Sequence, residues 1–112
     1  LAWSLVSAAT GTLVSGRAFQ SSDSSDGLSI LNLGPGDYTL VFDGSGDMTG
    51  AYAFRLIDMN AAPVITPGTA VSASLNLGNE TDVYRLNVTA GDRYFFDSQS
   101  VQVADGRWRL IS

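Results

Sequence analysis

Residues 31–57 read "LNLGPGDYTLVFDGSGDMTGAYAFRLI", and how this stretch is divided decides the fold class. In "YTLVFD" (38–43) and "AYAFRLI" (51–57) apolar residues recur with a period of two, and Tyr52, Phe54 and Leu56 share one face. That period belongs to a half-buried strand and not to a helix. "GPGD" (34–37), with Pro35 between glycines, and "GSGDMTG" (44–50) supply the turns between the runs. The stretch is therefore a succession of strands and tight turns.

The same texture extends outward in both directions. Upstream stand "AWSLVS" (2–7), with Trp3 and Leu5 set against Ser4, then "GTLVSG" (11–16), a polar loop over 16–27 and "LSILNL" (28–33). Downstream, "DMNAAPVITPG" (58–68) carries two prolines and breaks the pattern, marking a linker. Beyond it come "TAVSASLNL" (69–77), "DVYRLNV" (82–88), "RYFFD" (93–97) and "RWRLI" (107–111). Turn signals every eight to twelve residues or so predict an all-β chain of about nine antiparallel strands, arranged as a β-sandwich or jelly roll.

Composition narrows the function classes. The chain has 112 residues, 45% of them apolar and 15% charged, with 11 acidic against 6 basic side chains and a net charge of −5. Its basic residues are all arginines, dispersed along the strand runs, which argues against a nucleic-acid or anionic-membrane partner. No apolar run approaches the roughly 20 residues of a membrane-spanning helix. With no His, Lys or Cys, the usual general bases and nucleophile partners are missing, and the chain reads as non-catalytic. The carboxylate pairs Asp43/Asp97 and Asp82/Asp92 are formally available for glycoside hydrolysis, but aspartates at turns usually bond nearby backbone amides.

Calcium is the better chemical candidate, since it takes oxygen ligands from flexible acidic loops. Asp43 and Asp47 in one turn, and Asp23 and Asp26 in the polar loop, are the weak candidate ligands; no cofactor is required by any motif. Aromatic residues in the strand runs, Trp3, Trp108, Tyr84 and Phe95 among them, suit a sandwich core first and polysaccharide stacking second.

Two echoes run through the chain. "LNLGPGDYTLVF" (31–42) matches "LNVTAGDRYFFD" (86–97) at Leu, Asn, Gly and Asp. "WSLVS" (3–7) returns as "WRLIS" (108–112), so that Trp3 aligns with Trp108 and Leu5 with Leu110. The second echo is expected of a chain spanning about one period of a longer repeat.

"TDVYRLNVTAGDRYFFD" (81–97) together with "GRWRLIS" (106–112) resembles the first half of the bacterial pre-peptidase C-terminal domain. "GTLVSG" (11–16), "PGDYTLVFDG" (35–44) and "GAYAFRLID" (50–58) resemble its second half. The halves stand in reversed order. The resemblance implies that 1–58 is the C-terminal half of one sandwich module, 59–68 a connector, and 69–112 the N-terminal half of the next module or of the same one, permuted. It further implies an extracellular or cell-surface bacterial protein. The expected function is that of a structural repeat in a surface filament or adhesin stalk, joined head to tail to copies of itself by strand complementation. Trp3, Leu5, Tyr84, Leu86, Trp108 and Leu110 are the expected contact residues. The alternative is a secreted accessory module, carbohydrate- or calcium-dependent, attached to an exported enzyme.

Overall fold

A computed structural model describes residues 1–23, 29–76, 78 and 80–112. The chain divides into two units, Leu1–Ala53 and Phe54–Ser112.

The first unit is built on one antiparallel sheet of three strands: β1 (Ala2–Ser7), β2 (Gly11–Ala18) and β3 (Tyr38–Asp43). Their order across the sheet is β2-β1-β3, so the first strand is central. β1 turns into β2 through Ala8–Thr10, where the buried Ser7 Oγ accepts the backbone N–H groups of Ala9 and Thr10 at 3.2 Å each. Gly11 leaves that turn with φ +84°, a conformation that glycine adopts without steric penalty.

Register explains which side of the sheet is covered. Trp3, Leu5 and Ser7 stand opposite Phe42, Leu40 and Tyr38 of β3, and opposite Arg17, Val14 and Gly11 of β2. Side chains alternate along a strand, so these residues share one face. Phe19 and Tyr52 lie over its end, with ring centroids 6.1 Å and 5.0 Å from that of Phe42. Among the described residues Leu5 and Val14 are the buried apolar ones of this unit. The opposite face pairs Ala2, Ser4 and Val6 with Asp43, Val41 and Thr39; its side chains are small, and those of β3 are exposed. One covered face and one wet face is the ordinary state of an antiparallel sheet.

β2 is longer than β1 because it is bulged. The β1–β2 register shifts between Trp3 and Leu5 and again between Leu5 and Val6. Gly16 supplies the left-handed residue of the first irregularity at φ +56°, and its N–H donates to Ser4 Oγ at 3.0 Å. β3, by contrast, follows β1 without a shift over its whole length.

In the second unit the regular structure is sparse. A short 3-10 turn, Met59–Ala61, is capped by Asp58, whose carboxylate accepts from the Asn60 N–H at 2.9 Å. Val64 and Arg85 form an isolated parallel bridge. It is made by Ile65 N–H to the Arg85 carbonyl at 2.9 Å and Arg85 N–H to the Pro63 carbonyl at 2.8 Å. The Arg85 guanidinium adds a bond from Nε to the Ala62 carbonyl, also at 2.9 Å, beside the buried Ala62.

The chain is thus β-structured, with no α-helix among the described residues. Among the described residues three strands form, where about nine are expected of the whole chain. Runs 51–57, 82–88, 93–97 and 107–111 keep their alternation but have no strand ladder, and 28–33 and 69–77 include Leu28 and Leu77, outside the described residues. Alternation prepares a segment for pairing but does not provide the partner whose N–H and C=O groups complete the ladder.

Candidate interaction surface

Because backbone pairing covers so little of the chain, its apolar side chains remain largely in solvent. Two separate compact bodies sharing this mass would together expose roughly 7,100 Å². The chain exposes 9634 Å². The excess, on the order of 2,500 Å² for the chain, is about three times what one partner contributes to a standard protein interface.

The six expected contact residues divide by environment. Leu5 is 3% exposed and belongs to the sheet interior. Trp3 is half-buried beside it; its indole N–H donates to Ser22 Oγ at 2.6 Å, and the Arg17 guanidinium lies 5.0 Å from the ring centroid. Leu86 is half-buried in the second unit and Tyr84 is exposed. Trp108 and Leu110 are 65% and 81% exposed. The two phrases of the WxLxS echo therefore occupy opposite environments, one inside a sheet and the other in water.

Trp108 meets an aromatic neighbour, Phe96. Its ring stacks on Phe96 with centroids 4.5 Å apart and planes 14° from parallel, and both rings stay mostly in solvent. Phe95, next along the chain, is 90% exposed. Sequence reasoning did not single out Phe96; the alternation of "RYFFD" places Phe95 and Phe96 on opposite faces and gave no signal for the stack.

The acidic candidates lie on turns and strand ends. Asp43 closes β3, and Asp47 lies inside the turn in which Met48 N–H donates to the Ser45 carbonyl at 3.3 Å. Asp23 is exposed beyond the short helical turn Phe19–Ser21, and Asp26 lies outside the described residues. Among the described residues no three acidic groups gather into a metal-sized cluster. A shallow groove of about 380 Å³ crosses the end of the sheet, lined by Ala2, Ala18, Asp43 and Ser45, with that single carboxylate in it.

Asp92 is tied to its own turn. Its carboxylate accepts Thr89 N–H at 2.9 Å and the Tyr94 hydroxyl at 3.0 Å, while its own N–H donates to the Thr89 carbonyl at 3.0 Å. Gly91 sits inside that turn at φ +90°. The bond to Asp92 holds the Tyr94 proton, and the neighbouring negative charge disfavours phenolate, so the Tyr94 pKa is raised above 10.0.

No protein-family model, curated protein or solved structure matches this chain.

Proposed function

We propose that this chain is a structural module that completes its β architecture by packing against further copies of itself, as a repeat of an extracellular bacterial filament or adhesin stalk. The observation that carries the reading is the uncovered apolar surface, concentrated in strand-patterned segments that lack a ladder. A segment with alternating apolar residues and unpaired backbone groups is a template for another strand. Contacts that repeat head to tail need not close, and so they propagate. In this reading the finished module is a sandwich of the pre-peptidase C-terminal kind, its two halves brought together from successive units. The protein is non-catalytic, and its work is mechanical.

Sedimentation and negative-stain electron microscopy of the purified chain over a range of concentrations test this. Elongated assemblies with a regular axial repeat are the expected result. A monodisperse monomer at every concentration would refute it.

The stacked, exposed Phe96–Trp108 pair favours a second reading, an accessory module that stacks on sugar rings. That module would be monomeric, and polysaccharide would raise its melting temperature by mass action.

A further inference from the structure

The two outer strands of the sheet are not equivalent. β2 is twice bulged and carries Arg17 and two glycines with positive φ, Gly11 and Gly16, features that twist an edge away from further pairing. β3 is regular and has neither bulge, proline nor basic residue; its charge is Asp43, at its end. Among the described residues β3 has a single strand neighbour, β1.

Resting on the self-assembly reading, we infer that the outer edge of β3 receives residues 107–112 of a second copy, in the register that β1 uses on the inner edge. The WxLxS echo sets that register. β1 places Ala2, Trp3, Leu5 and Val6 opposite Asp43, Phe42, Leu40 and Thr39. Aligning Trp108 with Trp3 puts Arg107 opposite Asp43, Leu110 opposite Leu40 and Ile111 opposite Thr39. The apolar residues then continue the covered face of the sheet, and Arg107 meets a carboxylate where β1 has only an alanine. Opposite charges and matched apolar residues directly across a ladder both stabilise antiparallel pairing. Among the described residues neither Arg107 nor Arg109 makes a hydrogen bond or ion pair within the chain, and Leu110 is 81% exposed. The incoming strand also brings positive charge to a chain of net charge −5. The uncovered area per copy is ample for such an interface at each end.

The native chain has no cysteine, so introduced thiols report this pairing directly. Copies carrying Thr39→Cys are mixed with copies carrying Ile111→Cys under mild oxidation, beside a control in which Val41→Cys replaces Thr39→Cys. Directly opposed Cβ atoms lie about 5 Å apart and diagonal ones about 7–8 Å, so the 39/111 pair links preferentially if the register is right. Asp43→Arg alone weakens assembly several-fold, and combining it with Arg107→Asp restores it. Assemblies that form without preferential 39/111 linkage overturn this docking while leaving self-assembly standing. A chain that stays monomeric overturns both. A doubly substituted chain that links only within itself overturns the second copy as the occupant.

Discussion

Leu5 and Val14 face each other across the β1–β2 ladder and are, among the described residues, the two buried apolar side chains of the first unit. On the same face Phe19 and Tyr52 pack on the ring of Phe42, at the end of the sheet. The pairing of Leu5 with Val14 lies between the two register shifts of β2, where the bulged strand returns to its pairing with β1.

Leu5→Ala is expected to destabilise the first unit by about 2–4 kcal/mol, through lost burial and the cavity left between Val14 and Leu40. Leu110→Ala, at the equivalent place in the echo but in solvent, changes the stability of the isolated chain by less than about 0.5 kcal/mol. Urea titration followed by tryptophan fluorescence separates the two. Equal shifts in midpoint would mean that Leu5 is not the centre of the core.

Gly16 tests the bulge. A Cβ added there meets nothing within 4 Å, yet φ is +56°. Gly16→Ala therefore costs roughly 1–2 kcal/mol in backbone strain without any clash. Gly50 also has open space, with no positive φ, and Gly50→Ala is expected to be neutral or slightly stabilising. Thermal melts of the two variants at low concentration give the comparison; a harmless Gly16→Ala would rule out the left-handed bulge.

Tyr94 supplies a pH dependence. Its pKa is raised from 10.0 by the hydrogen bond to Asp92. A raised folded-state pKa means that the contribution of this bond is fully present below about pH 10 and disappears as pH climbs through the folded value. Absorbance titration of phenolate should show one tyrosine ionising late, and Asp92→Asn should bring it back toward its usual range. An unchanged titration in that variant would exclude Asp92 as the cause.

Much of the first unit was legible before any coordinates. The runs "AWSLVS" and "YTLVFD" are strands with the bounds their alternation implies, and "GTLVSG" is a strand that continues two residues further. The extension past Gly16 was hidden because a glycine that reads as a turn also serves as the pivot of a bulge. The turn over 89–92 is built from Gly91 and Asp92, the residue types that its geometry requires. The runs of the second unit have the same alternation as β1 and β3 without their ladder, and nothing local distinguishes the two cases. Likewise, Trp3 and Trp108 were indistinguishable as contact residues.

By itself, the sequence determined the local patterns: the period-two runs, the glycine turns, the absence of helix-forming stretches, and a side-chain inventory without His, Lys or Cys. Only the tertiary structure decided that β1 is central, that β2 is blunted by bulges while β3 is regular, and that Leu5 is buried while Leu110 is in water. The reason is that alternation is a property of one strand, whereas burial and edge character depend on which distant strand supplies the hydrogen bonds. Two near-identical phrases take opposite fates because one has two strand partners within the chain, whereas the other has no strand partner among the described residues.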